Sequence, residues 1–72
     1  MATIAQANRA IAKSGTPLEL VRGEGYHYFV YDDGKHYDSL SIYVPYTNTY
    51  SPSEWVEQAE SAYETIAKDF RF

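Results

Sequence analysis

The 72-residue chain contains no cysteine, so it can form neither disulfide bonds nor thiolate metal sites. It has no apolar run near the roughly 20 residues that a bilayer-spanning helix requires. Its beginning also lacks the continuous apolar stretch of a secretory signal. These absences predict one small cytoplasmic domain, residues 1–72, that is stabilised by packing, with self-association as an open supplement.

Basic residues are scarce in the second half of the chain. Six Lys and Arg stand against ten Asp and Glu, which gives a net charge of −4. No Lys or Arg occurs between Lys35 and Lys68. Such a surface repels phosphate backbones and favours a basic protein partner, although acidity also keeps a small protein soluble.

The beginning of the chain carries a helical pattern of modest strength. Ile4, Ala7 and Ile11 recur at spacings of three and four residues, and Thr3 is suited to cap the helix. Gly15 marks the end of the pattern. This helix needs an apolar surface to lie on, because its own stripe is short.

A second helix is predicted after residue 50 by a stronger signature. In "YSPSEW", Ser51 is the expected N-cap, Pro52 the first helical residue and Glu54 the capping-box residue. Tyr50 and Trp55 occupy the positions of a hydrophobic staple. The apolar stripe of this helix consists of Trp55, Ala59, Ala62, Tyr63, Ile66 and Phe70. The opposite arc carries the carboxylates Glu54, Glu57, Glu60 and Glu64.

Three strand-like segments, "LELVR", "YHYFVYD" and "KHYDSLSIYV", separate the two helices. Glu24-Gly25 and Asp33-Gly34 lie between them, and Asp-Gly is a strong signal for a two-residue type I′ turn. The sequence therefore predicts an α+β fold. We expect one small domain in the order α-β-β-β-α, with a three-stranded antiparallel meander.

The two turns predict which residues share a face of the sheet. A turn at Asp33-Gly34 places Phe29 opposite Asp38 and His27 opposite Leu40. A turn at Glu24-Gly25 places Leu20 opposite Phe29. Both turns put the same apolar set on one face, where both helices are expected to pack. That set is Leu18, Leu20, His27, Phe29, Tyr31, Leu40, Ile42 and Val44.

The other face is predicted to be rich in tyrosine and uncovered by the helices. Tyrosine offers a large apolar area, few torsions to freeze and a hydroxyl that tolerates water, so it is enriched at interfaces. The candidate binding residues are Tyr26, Tyr28, Tyr37, Tyr43 and Tyr46, together with Glu57, Glu60 and Glu64 of the second helix. Tyrosine is also an ordinary strand former, so plain stabilisation of the sheet is the alternative interpretation.

No catalytic or metal-binding group of residues is predicted. His27 and His36 would lie about 13 Å apart along neighbouring strands, too far to share a metal ion. The turn sequence "DDGKHYD" lacks the alternating spacing of a calcium loop. The chain has no nucleophile elbow or phosphate-cradling loop, so we expect neither catalysis nor a cofactor. Single-stranded nucleic acid is also a disfavoured ligand, because only Arg22 and Lys35 lie near the tyrosines.

The segments "GYHYFV" and "SIYVPYTNTYSPSEWVEQA", in the α-β-β-β-α order, resemble small proteins of bacteriophages and prophages. In size, acidity and lack of catalytic residues, the chain is also similar to phage-encoded inhibitors of bacterial immunity such as anti-CRISPR proteins. That resemblance implies a non-catalytic protein that binds a defence complex in the host cytoplasm, with its acidic helix suited to a basic nucleic-acid-binding groove. The alternative is a small homo-oligomeric accessory protein whose tyrosine face mediates dimerisation.

Overall fold

A computed structural model describes residues 3–70 of the chain. Helix α1 (Ile4–Lys13) precedes strands β1 (Glu19–Arg22), β2 (His27–Asp32) and β3 (Tyr37–Ile42), a 3₁₀ turn (Thr47–Thr49) and helix α2 (Pro52–Phe70). The strands form one antiparallel sheet in the order β1-β2-β3. The predicted α-β-β-β-α meander is therefore confirmed. Within the described residues, neither helix is both long and apolar enough to cross a membrane.

Both helices begin at reciprocal capping boxes, which satisfy backbone N–H groups that a helix leaves unpaired at its start. At α1, the side chains and backbones of Thr3 and Gln6 exchange hydrogen bonds of 3.1 Å. At α2, Ser51 and Glu54 form the same arrangement, as the sequence predicts. The hydrogen bond from the Ser51 backbone is the main cause of a lowered pKa at Glu54.

Both helices pack on the same face of the sheet, as predicted. The core centres on Phe29 of β2 and Trp55 of α2, which are fully buried with their rings edge-on at 6.0 Å between centroids. Helix α1 contributes Ala7 and Ile11. The other buried residues are Leu18, Leu20, His27, Tyr31, Ala59, Ala62 and Ile66. The core thus lies between one sheet face and two helices that also contact each other.

The pairing of β1 with β2 has the register that the sequence predicts. Leu20 lies opposite Phe29, and the connection is centred on Glu24-Gly25. Gly25 has a φ of 80°, a left-handed conformation that glycine adopts without strain. A hydrogen bond of 2.8 Å from the Gly23 N–H to the Tyr26 carbonyl closes the turn between the two strands.

The predicted register of β2 with β3 is wrong by two residues. Phe29 lies opposite Leu40 rather than Asp38, and His27 lies opposite Ile42 rather than Leu40. The turn is centred on Gly34-Lys35, one residue later than expected, because the Asp33 carboxylate accepts hydrogen bonds from the Lys35 and His36 N–H groups. Since side chains alternate with a period of two, a shift of two residues leaves every side chain on its predicted face.

The carboxylate of Asp33 makes this turn sensitive to acid. The backbone N–H groups of His36 and Lys35 hold the pKa of Asp33 far below its usual value. A carboxyl whose pKa is depressed by folding stabilises the folded state above its unfolded pKa of about 3.9, and this stabilisation is lost as the pH falls.

We therefore expect Asp33→Asn to lower the free energy of unfolding at pH 7 and to lower it by a smaller amount at pH 2. Asparagine keeps one acceptor oxygen for the backbone N–H groups, but its amide nitrogen replaces the oxygen that accepts from the Tyr31 hydroxyl, so part of the loss is expected to remain in acid. Chemical denaturation at a series of pH values measures the difference, with Asp32→Asn as the control for the loss of a neighbouring charge. A difference between Asp33→Asn and the parent that does not shrink in acid would contradict this account.

Candidate protein-binding surfaces

The outer face of the sheet, which points away from both helices, carries aromatic, hydroxyl and acidic side chains. Tyr28 lies between Val21 of β1 and Ser41 of β3, and these residues have the register of the outer face. Along the strands, the other paired residues on this face are Glu19, Val30, Asp32, Tyr37 and Ser39. None of these eight paired residues is Lys or Arg, and two are acidic. These paired residues therefore offer no cation to a phosphate backbone.

Two of the tyrosines predicted to bind a partner, Tyr26 and Tyr28, pack against each other at one end of this face. Their ring centroids are 5.9 Å apart, and both side chains are half-buried. The Tyr26 ring also lies directly over Gly23, where an added Cβ would come within 2.7 Å of the ring. A side chain at residue 23 would therefore have to displace the Tyr26 ring from its present position. These two tyrosines thus have a structural role in the β1–β2 connection.

The other three predicted tyrosines are much more exposed. Tyr43 is 85% exposed, Tyr37 65% and Tyr46 64%. Tyr37 begins β3, Tyr43 follows its last residue, and Tyr46 precedes the 3₁₀ turn. Large aromatic side chains with so little intramolecular contact contribute little to the stability of the domain, whereas they supply apolar area to a partner.

The predicted acidic residues Glu57, Glu60 and Glu64 lie together on an exposed arc of α2. They line one wall of an open groove of about 510 Å³, with Tyr63 at its side. The opposite wall is the turn at residues 14–17, which connects α1 to β1. The groove therefore has one acidic wall and one wall of Ser, Gly, Thr and Pro.

The outer sheet face and the acidic groove point in opposite directions. Helix α2 turns Trp55, Ala59, Ala62 and Ile66 toward the sheet. Its glutamates lie on the opposite arc, whereas the tyrosines lie beyond the sheet. One flat partner surface can bury one of these two regions but not both.

His27 holds the loop that leads from β3 to α2. Its buried ring is hydrogen-bonded through Nδ1 to the Val44 carbonyl and through Nε2 to the Thr47 hydroxyl, each at 2.8 Å. Because a carbonyl can only accept, the ring donates from Nδ1 to the Val44 carbonyl. The indole N–H of Trp55 donates to the Thr47 carbonyl at 2.8 Å. This histidine is thus a satisfied structural residue, and its partners lie too far along the sequence for a local pattern to reveal them.

The other histidine, His36, belongs to the β2–β3 turn. Its ring packs against Phe70 at 4.8 Å between centroids, and its Nδ1 lies 3.3 Å from the Asp33 carboxylate. Tyr31 donates a hydrogen bond to the same carboxylate at 2.9 Å, and burial is the main cause of its raised pKa. Across residues 3–70, no three His, Asp or Glu side chains are placed together to hold a metal ion.

Comparison with known proteins finds no relative of this chain. No family, no curated protein and no solved structure matches it.

Proposed function

We propose that this protein is a non-catalytic binding module whose outer sheet face docks on another protein. The observation that carries the proposal is the exposure of Tyr37 and Tyr43, which have the alternation of the face that neither helix covers, and of Tyr46 in the loop after β3. Buried aromatic anchors supply most of the binding energy at protein interfaces, and tyrosine is among the residue types enriched there. A tyrosine side chain has only two torsions to freeze, so it loses little conformational entropy on binding.

A protein is a better partner for this face than a nucleic acid. Proteins that bind single strands combine aromatic side chains with Lys or Arg along the backbone path. The paired residues of the outer face instead include Glu19 and Asp32. These carboxylates favour a partner surface that carries basic or neutral hydrogen-bond donors.

We further propose that the partner is a bacterial defence complex of the CRISPR type and that binding inhibits it. This step depends on the resemblance to small phage proteins that inhibit bacterial immunity. A basic groove that normally holds DNA or RNA would match the outer-face carboxylates Glu19 and Asp32. A homo-oligomeric accessory protein without inhibitory activity is the competing function.

The proposal is tested by replacing Tyr37, Tyr43 and Tyr46 with serine in one variant. Loss of a single anchor worth about 2 kcal/mol weakens binding roughly 30-fold. We therefore expect the parent to protect phages from CRISPR immunity in a plating assay and to retain the defence complex in a pull-down. The triple variant should do neither, while its free energy of unfolding stays close to that of the parent.

A variant of the other surface provides the matched control. Glu57, Glu60 and Glu64 changed to glutamine leave the outer sheet face intact and remove the charge from the groove. Full inhibition by this variant is expected. If the tyrosine variant still inhibits and the glutamate variant does not, the groove and not the outer sheet face binds the partner. If the parent does not inhibit at all, the accessory function is favoured.

A further inference from the structure

Within residues 3–70, a helix side chain covers the β1 edge of the sheet, whereas none covers the β3 edge. An edge strand presents unpaired N–H and C=O groups that can pair with another strand. At the β1 edge, the Asn8 side chain of α1 accepts from the Leu20 N–H at 2.7 Å and donates to the Leu20 carbonyl at 2.9 Å. One carboxamide thus takes the place of a neighbouring strand and closes that edge at its centre.

The β3 edge has no such cover among residues 3–70. The Asp33 N–H donates to the His36 carbonyl, which fixes the alternation of backbone groups along the hairpin. In this alternation, the backbone N–H and C=O groups of residues 38, 40 and 42 bond to β2. The backbone groups of Ser39, Ser41 and the neighbouring odd-numbered residues point away from β2. In agreement, the Ser39 N–H is occupied by the Asp38 carboxylate, at 2.8 Å, rather than by β2.

The inner side of β3 is also incompletely buried. His27, Phe29 and Tyr31 of β2 are buried, whereas Leu40 and Ile42 of β3 are only half-buried although they pack against the same core. A further strand beyond β3 would cover their outer sides. An extended strand would therefore both pair with the open edge and cover these half-buried apolar side chains.

The sequence of β3 is suited to pair with itself. Residues 37–43 read "YDSLSIY", which is a palindrome centred on Leu40 except at Asp38 and Ile42. When two copies pair antiparallel about a two-fold axis at Leu40, Ser39 lies opposite Ser41 and Tyr37 lies beside Tyr43. Leu40 meets Leu40 of the other copy on the inner face. In this register, Ser39 and Ser41 exchange backbone hydrogen bonds across the axis.

We propose that the β3 edge binds the β3 edge of a second copy of this chain, giving one continuous six-stranded sheet. No like charges lie opposite each other at the centre of this pairing. Asp38 is the only charged residue in residues 37–43, and the two copies of Asp38 lie about 14 Å apart, beyond the screening length of about 8 Å at physiological salt. Pairing displaces the Asp38 carboxylate from the Ser39 N–H, which offsets part of the gain and makes the dimer reversible.

This inference is independent of the proposed function. It concerns the edge of the sheet and leaves the outer face of both copies uncovered. The dimer would present two outer faces side by side, with the tyrosines of residues 37 and 43 at their junction.

Single cysteines test the register directly, because the chain has no cysteine of its own. Leu40→Cys places two thiols at the two-fold axis in a non-hydrogen-bonded pair, where the Cβ atoms lie about 4.5–5.5 Å apart. Mild oxidation is expected to convert most of this variant into a disulfide dimer. Ile42→Cys is the matched control on the same face, since its thiols lie about 14 Å apart and should not join.

A proline substitution in β3 and a measurement of molecular mass provide two further tests. Adding Ser41→Pro to Leu40→Cys removes an outward N–H that β2 does not use and should abolish the cross-link, whereas Ser41→Ala should preserve it. Sedimentation equilibrium of the parent, from micromolar to millimolar concentration, should show the mass rising from 8.2 kDa toward twice that value. A constant monomer mass would overturn the proposal, even if a foreign extended peptide bound this edge. Equal cross-linking of the residue 40 and residue 42 variants would overturn it as well.

Discussion

Replacing Trp55 with alanine is expected to bring the protein close to unfolding at 37 °C. Large aromatic side chains cost about 3–5 kcal/mol when they are truncated in a core, because a cavity remains. A domain of this size has a total stability of about 4–11 kcal/mol at 0.05–0.15 kcal/mol per residue. Trp55 is fully buried, contacts the rings of Phe29, His27 and Tyr50, and donates its indole N–H to the Thr47 carbonyl.

Trp55→Phe is the matched control for this experiment. Phenylalanine keeps an aromatic ring in the core but removes the indole N–H, so we expect a loss of about 1–3 kcal/mol. Urea denaturation followed by far-UV circular dichroism measures both variants, since Trp55 is the only tryptophan and its fluorescence disappears with it. A loss below about 1 kcal/mol for Trp55→Ala would mean that the core is not centred on this ring.

Replacing His27 with leucine is expected to destabilise the domain by about 2–4 kcal/mol, because buried polar groups lose their partners. Leucine fills much of the volume but leaves the Val44 carbonyl and the Thr47 hydroxyl without the imidazole. The loop between β3 and α2 would then lose its connection to β2. Thermal and chemical denaturation measure this change.

A double-mutant cycle separates the hydrogen bond from the packing. Thr47→Val removes only the hydroxyl partner of Nε2, and the cycle with His27→Leu should give a coupling energy between about 0.5 and 3 kcal/mol. A coupling energy near zero would show that the imidazole stabilises the domain through volume alone.

Local patterns were sufficient to predict the start of α2 and the two faces of the sheet. The cap of α2 involves residues within five positions of one another, so the "YSPSEW" segment contains all the information. The face on which a side chain lies depends only on the alternation of side chains along each strand. The predicted faces are therefore correct although the predicted register between β2 and β3 is wrong. The error came from the Asp33 side chain, which binds backbone N–H groups and moves the centre of the turn by one residue.

Contacts between distant residues were not predictable in this way. The Asn8 side chain binds Leu20 across 12 positions, and His27 binds Val44 and Thr47 across 17 and 20. Polar residues at such separations carry no periodic signal. The tyrosines show the same limit, since only the packing of Tyr26 over Gly23 distinguishes its role from that of the exposed Tyr43.

The position of α2 in the fold also determines when the protein can fold during its synthesis. Four buried residues of the core belong to α2, which is made after all three strands. The core can therefore close only after α2 has left the ribosome, once the whole helix has been made. A chain truncated before residue 52 lacks this helix, so only α1 is present to cover the inner sheet face. Such a truncated chain is expected to be a substrate for chaperones that bind exposed apolar strands.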